Sequence, residues 1–224
     1  MDLERINAYM ELVEASEREM LLPEAGPLKI GLDLGTAYIV LVALDENNQP
    51  VACEKQAARV LQDGVVVDFI GAQQITKMLK NKLETRLGRE LSYCSIAMPS
   101  GTESSLKTHI YVAEGAGFEV SDVLDEPTAA NSIYKIENGV VVDIGGGSTG
   151  LAVFQDGKVV QTEDEPTGGV HLTLVLSGNR GISYDEAEKI KLDYKRHKEI
   201  FHIVRPVMEK MASIVAKYIG GQEV

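Results

Sequence analysis

Two short stretches of this chain have residue types and spacing suited to phosphate chemistry. One reads Asn138-Gly139-Val140-Val141-Val142-Asp143-Ile144-Gly145-Gly146-Gly147-Ser148-Thr149-Gly150. Val140 to Val142 read as a buried strand that ends in an aspartate; three glycines and two hydroxyls follow. A backbone without Cβ atoms can bring several N–H groups against a phosphate. The other stretch, Lys29-Ile30-Gly31-Leu32-Asp33-Leu34-Gly35-Thr36, repeats the order of strand, aspartate, glycine and hydroxyl. Such repetition divides the chain into two homologous halves, each presenting a hairpin with a carboxylate at its base. Two such loops face to face would hold a polyphosphate, the carboxylates reaching a metal through its waters. A lone strand-end aspartate more often caps its own turn; the repeated pair favours the metal.

Gly145-x-Gly147-x-x-Gly150 also fits the dinucleotide fingerprint, with Asp164 near the spacing of its acidic residue. That fingerprint requires a helix after the loop. Here Leu151-Ala152-Val153-Phe154, an Asp156-Gly157 turn and Val159-Val160 read as strand, hairpin turn and strand, which excludes it.

The positioning elements follow from periodicity. Residues 2–21 form an amphipathic helix with Leu3, Ile6, Tyr9, Met10, Val13 and Met20 on one stripe and a Glu14–Arg18 pair, set off by a Pro/Gly linker at 23–27. It either packs on its own domain or docks a partner. Strands follow the first hairpin at 51–61 and 65–67, split by Asp63-Gly64. A helix over 70–87 carries Ile75, Met78, Leu79 and Leu83 and stops at Gly88. A strand at 93–98, a helix capped by Ser100 and Glu103 running to about 115, and a strand at 118–124 lead to Asp125-Glu126-Pro127-Thr128-Ala129-Ala130-Asn131. Pro127 suits the first turn of a short helix lying where the halves join. After the second hairpin come a Gly168-Gly169 turn, a helix from about 172, a loop at 177–181 and a helix over 184–195 capped by Ser183 and Glu186. The last helix carries Val204, Met208, Met211, Val215 and Tyr218, with Pro206 in its first turn or at a kink, and Gly220-Gly221 as its cap.

Composition narrows the partners. Acidic residues outnumber basic ones 34 to 22, for a net charge of −12, which argues against nucleic acid or an anionic membrane. Tryptophan is absent, so the core rests on Val, Ile, Leu and Ala. No apolar run approaches a membrane span, and the N-terminus shows no secretory pattern. Cys53 and Cys94 match no metal spacing and read as reduced core thiols of a cytoplasmic protein; His109, His171, His197 and His202 form no metal constellation.

Four blocks in order resemble the actin-like ATPase superfamily, nearest the DnaK-type heat-shock chaperones: 30–36, Asp125-Glu126-Pro127-Thr128-Ala129-Ala130, Asp143-Ile144-Gly145-Gly146-Gly147-Ser148, and Glu188-x-x-Lys191. The compact halves, the acidic N-terminal helix and Ala97-Met98-Pro99-Ser100-Gly101 are similar to the chaperone-like branch of bacterial ethanolamine utilisation. The resemblance implies an α/β fold of two ribonuclease H-like halves, without large insertions, flanking a cleft for Mg-ATP or ADP: 1–27 as helix and linker, 28–136 as the first half, 137–224 as the second. The family's final strand, Gly-Gly adenosine motif and closing helix would follow residue 219, so the C-terminus reads as incomplete. Gly35, Thr36 and Ala37 would line the β- and γ-phosphates, and Gly145, Gly146, Gly147 and Ser148 would cradle them from the other side. Asp33 and Asp143 would hold magnesium waters, Glu126 would orient or deprotonate the attacking water, and Glu188 and Lys191 would reach the ribose and adenine; a bland alternative makes that last pair a solvated helix face. Gly168 and Gly169 match a glycine pair that admits the nucleotide.

Two departures bear on hydrolysis. Gly150 stands where the chaperones carry an aspartate, and their catalytic lysine has no clear counterpart, Lys77 and Lys80 being the nearest candidates. The leading expectation is a slowly hydrolysing ATP-dependent chaperone or assembly factor with a client in ethanolamine catabolism, cytoplasmic or at a bacterial microcompartment. A non-hydrolysing nucleotide-regulated binding module is the alternative, and a small-molecule kinase ranks third.

Overall fold

A computed structural model describes residues 2–21, 26–62, 64–99 and 103–219, residues 103 and 104 by backbone alone. Linker residues 23–25, Asp63, the Ser100 cap and Gly220-Gly221 lie outside the described residues. The order is α1 (Leu3–Arg18), β1 (Lys29–Leu34), β2 (Tyr38–Leu44), β3 (Pro50–Ala57), β4 (Leu61–Gln62), β5 (Val65–Val66), α2 (Phe69–Leu87), β6 (Tyr93–Met98), α3 (Glu103–Gly115), β7 (Glu119–Asp125) and α4 (Glu126–Tyr134). Then follow β8 (Gly139–Ile144), β9 (Thr149–Gln155), β10 (Lys158–Glu165), α5 (Gly169–Arg180), α6 (Tyr184–Leu192) and α7 (His197–Ile219).

The first half is a five-stranded sheet in the order β3-β2-β1-β6-β7, antiparallel across β3-β2-β1 and parallel across β1-β6-β7. Alternation decides its faces. Ile30, Leu32 and Leu34 of β1, Ile39, Leu41 and Ala43 of β2, and Cys94 and Ile96 of β6 point into one core with Leu79 and Leu83 of α2 and Val112 of α3. Burying each large aliphatic chain contributes roughly 1.5–3 kcal/mol. Residues one step out of phase, Asp33, Val40 and Ala97 among them, occupy the opposite face. Cys53 and Cys94 are both buried and unpaired, and burial pushes their thiols up to about 11 and about 12.

β8, β9 and β10 form an antiparallel meander. Asp156 and Gly157 both have positive φ, 50° and 72°, which suits a tight hairpin turn. The central strand β9 is buried through Phe154. Val141, Ala152 and Phe154 pack under Ala130 and Tyr134 of α4, and α7 also packs on β9. A separate apolar cluster joins α5, α6 and α7 through Leu176, Ala187, Ile200 and Val204. Helix α4 touches β6 and β7 of one sheet and β8 and β9 of the other. Its N-cap Asp125 accepts from the Thr128 amide at 2.9 Å, and Pro127 sits in the first turn.

Several expectations change. Val140 to Val142 are not a fully buried strand: among the described strands β8 is an edge, only Val141 of the three is buried, and Ile144 is 54% exposed. The strand expected over 51–61 ends at Ala57, where the Ala58 amide turns to the Ala37 carbonyl (3.1 Å). Residues 177–180 continue α5 rather than form a loop, because Gly181 caps the helix in the left-handed region with its N–H on the Ser177 carbonyl. Helix α6 stops at Leu192, where the Asp193 carboxylate takes the Lys195 amide. In α7 the buried stripe is Ile200, Ile203, Val204, Met211 and Ile214, with Met208 exposed and Pro206 well inside the helix. On α1 only Ile6 and Ser16 are buried; Leu3 and Met10 face outward while the helix packs on β3.

Candidate functional site

The two glycine turns are built alike. The Gly35 amide donates to the Tyr38 carbonyl, and the Gly145 amide to the Ser148 carbonyl, each at 3.0 Å. The strands leaving the turns pair in the same register, Asp33 opposite Val40 and Asp143 opposite Gly150. A third strand extends each row, placing Lys55 beside Val40 and Asp164 beside Gly150. Directly opposed residues share a face. The rows therefore read Asp33–Val40–Lys55 in one half and Asp143–Gly150–Asp164 in the other.

Both turns open on one cavity of about 600 Å³ lined by Asp33, Glu126, Asp143, residues 35–37 and residues 145–148. Three acids lie there half-buried, and burial dominates their titration. Asp33 is pushed up to about 7, by burial and then by the charge of Asp143. Glu126 is pushed up to about 8, by burial first and then by Asp33, Asp143, Asp164 and Asp125. Burial raises Asp143 too. Asp33 Oδ1 is buried with no hydrogen-bond partner among the described residues. Unpaired buried carboxylate oxygens are costly, and an acceptor-only group amid like charges suits a hydrated dication, which would neutralise the cluster and take the orphaned oxygen. The donor set fits magnesium held through water by Asp33 and Asp143.

The turns are in contact. A Cβ on Gly146 would stand 3.0 Å from the Ala37 Cβ and 3.1 Å from the Ala37 nitrogen. Thr36, Ala37 and Tyr38 also line a second cavity of about 490 Å³, together with Arg59, Val170, His171, Tyr184 and Glu188. Arg59 spans the halves there: its guanidinium lies 4.6 Å from the Tyr184 ring centroid and pairs with Asp185.

Of the nucleotide-side residues, Glu188 reaches the second cavity, where it accepts from Thr173 Oγ1 at 2.5 Å. Lys191 lines neither cavity; it pairs with Glu188 at 2.8 Å and donates to the Gly169 carbonyl at 3.2 Å. Gly168 and Gly169 close on the other glycine turn. A Cβ on Gly168 would meet the carbonyl oxygens of Gly146 and Gly145 at 2.6 and 2.7 Å, while the Gly169 amide donates to the Gly145 carbonyl at 2.9 Å. Only glycine permits that approach.

Neither lysine suggested from the sequence enters the cavity. Lys77 is exposed on α2, and Lys80 is buried elsewhere, donating to the Gly117 carbonyl at 2.7 Å above the Phe118 ring. Lys55 does line it. No local motif marks that residue; counting the antiparallel register outward from Asp33 would have found it. Asp164 is the other residue missed as a site member. Its Oδ1 lies 3.2 Å from where a Gly150 Cβ would stand, and its charge reaches Glu126. The carboxylate absent from position 150 is thus matched by one on the adjoining strand. Among the described residues no His/Cys/Asp/Glu group forms a ready-made metal cage, and no helix is long and apolar enough to cross a membrane.

Paired strand–turn–strand units with basal carboxylates, joined by a short helix bearing Glu126, define the actin-like ATPase class. A family model described as MreB/Mbl protein matches residues 51–177, over half the chain. MreB5 of Spiroplasma citri bound to AMPPNP shares this fold with a TM-score of 0.69 at 20% identity, over 89% of this chain and 80% of its own. Ethanolamine utilization protein EutJ of Escherichia coli K12 is 47% identical over 196 residues, which is 88% of this chain and 69% of that protein. The crystal structure of EutJ from Carboxydothermus hydrogenoformans has a TM-score of 0.91 at 46% identity, covering 100% of this chain and 83% of its own. The chain belongs to the EutJ family, a branch of the actin-like ATPases.

Proposed function

We propose that the protein binds Mg-ATP between its two glycine turns, hydrolyses it slowly, and uses the change of nucleotide to act as a chaperone-like or assembly factor in ethanolamine utilisation. The observation that carries this reading is the buried Asp33 Oδ1, without a partner among the described residues, in one cavity with Asp143 and Glu126 beneath two matched turns. Phosphoryl transfer asks a protein mainly for positioning and charge neutralisation. Magnesium, when bound, supplies the positive charge that lets a polyphosphate enter an acidic cavity.

The chain's own groups do the rest. The turns offer backbone N–H groups to the phosphate oxygens, and their direct contact must part to admit them. The terminal phosphate then faces the acidic cavity, and the adenosine faces the cavity beside Glu188. Glu126 aims the water and, once ionised, takes its proton as the oxygen attacks phosphorus and the bond to the leaving diphosphate breaks. A carboxyl that titrates near 8 amid like charges ionises more readily when a cation joins the cluster. The domain division 28–136 and 137–224 follows from the same reading, with α4 as the hinge by which nucleotide state reaches a client. The EutJ relatives support the pathway, and cytoplasmic or microcompartment placement goes with it.

Magnesium-dependent phosphate release by the wild type, lost in Glu126→Gln with ATP binding retained, is the expected result; turnover unchanged in Glu126→Gln would remove that residue from the mechanism. Gly150, standing where the chaperones of the resemblance carry an aspartate, favours a second reading, a binding module that holds nucleotide without hydrolysing it. Calorimetry showing ATP affinity with no phosphate release would select it.

A further inference from the structure

The acidic cavity contains a cation already engaged by an acid from the N-terminal helix. Lys55 is the one cation among its described lining residues, against Asp33, Glu126, Asp143 and Glu17. It stands in the same cross-strand row as Asp33, with Val40 between them. Its Nζ lies 2.7 Å from Glu17 Oε1, and Val13, one turn earlier on α1, lines the same cavity. Both side chains are partly open to water, 46% and 28% exposed. An ion pair so placed is weak enough to exchange.

The position of Glu17 is set by the fold. Arg86 donates to the Ser16 carbonyl at 2.8 Å while its other nitrogen donates to the Cys53 carbonyl at 2.8 Å and pairs with Glu54 at 2.7 Å. The Leu21 amide donates to the Val51 carbonyl at 2.9 Å. One arginine thus ties the turn of α1 that carries Glu17 to the strand that carries Lys55. Earlier in α1, Tyr9 donates to the Asn48 carbonyl at 2.8 Å, and Arg5 donates to the Ile133 carbonyl on α4 at 2.7 Å.

Resting on the nucleotide reading, we infer that Glu17 is a stand-in anion: it holds Lys55 until the terminal phosphate of a nucleoside triphosphate displaces it. Lys55 is then the phosphate-binding cation of the site, and α1 is a built-in competitor that lowers affinity for the triphosphate. A monophosphate, which does not reach Lys55, is indifferent to the pair. A partner that lifts α1 from β3 releases Lys55 and tightens triphosphate binding.

The test is equilibrium binding of Mg-ATP, Mg-ADP and AMP to the full chain carrying Glu17→Gln, Lys55→Gln, Lys55→Arg or the Glu17→Gln/Lys55→Gln pair. Glu17→Gln is expected to tighten ATP several-fold, and Lys55→Gln to weaken it roughly tenfold, the scale of one charge-assisted hydrogen bond. AMP should respond to neither. The double variant should match Lys55→Gln, because the glutamate acts only through the lysine, and Lys55→Arg should keep most of the ATP affinity, which separates loss of charge from damage to the fold. A Glu17→Gln effect of equal size with and without Lys55, or an AMP response as large as that for ATP, overturns the inference. ATP binding indifferent to both positions overturns it alone. No nucleotide binding by the wild type overturns the nucleotide reading along with it.

Discussion

The two halves use one backbone device and fill it with opposite charges. In the first, Val40 separates Asp33 from Lys55; in the second, Gly150 separates Asp143 from Asp164. Valine keeps a lysine at the rim, partly in water. Glycine lets a carboxylate close in, with Pro127 Cγ only 3.4 Å from the missing Cβ, so the second row presses its negative charge against the start of α4 and on Glu126. The same fold therefore yields one row that ends in a lysine and one whose second acid raises Glu126.

The largest way to break this difference is to make the second row like the first. Gly150→Val sets branched methyls against Asp164 and Pro127, and such overpacking is expected to cost about 3 kcal/mol. Thermal unfolding should fall by roughly 6–12 °C for a chain of this size; an unchanged midpoint would mean that the close approach of Asp164 is not enforced by the fold.

Next comes pH. The folded protein holds the protons of Glu126, Asp33 and Asp143 more tightly than an unfolded chain with ordinary carboxyls near pH 4, since burial raises all three. Their contribution to stability is complete below that value and is lost as pH rises through about 7 and about 8. Magnesium-free protein should therefore melt at progressively lower temperature from pH 5 to 8.5. Glu126→Gln should remove the largest share of that slope. Asp164→Asn should remove a smaller share, by lifting one of the charges that raises Glu126. A midpoint flat across this range would contradict the buried cluster. The smallest effect is expected from Lys55→Gln, whose partly hydrated ion pair contributes at most about 1 kcal/mol by chemical denaturation.

Much of this device was legible in local sequence. Asp33 and Asp143 announce themselves because strand, acid, glycine and hydroxyl are adjacent, and the Asp125-Glu126-Pro127 block carries its own cap. Lys55 and Asp164 were hidden because they reach the site through hydrogen-bond register, a non-local quantity; Asp164 drew notice only for a fingerprint it does not serve. The contact of Gly146 with Ala37, and of Gly168 with both loop carbonyls, depends on how the halves meet, which no local pattern encodes. In α7 the helix itself was plain, but Met208, about 40° around the axis from Val204 and about 60° from Met211, falls at the edge of the buried stripe rather than in it. The extension of α5 through residue 180 was missed because Ser177, Gly178 and Asn179 are turn formers by composition, yet Gly181 caps the helix beyond them.

The central claim is most directly tested by calorimetric titration of ATP into metal-free protein, with and without magnesium, in buffers of differing ionisation enthalpy. Binding that requires magnesium, releases protons near pH 7 as the raised carboxyls ionise, and is lost in Asp33→Asn is the predicted result. Equal affinity without magnesium, no proton release, and an unaltered Asp33→Asn titration would contradict it.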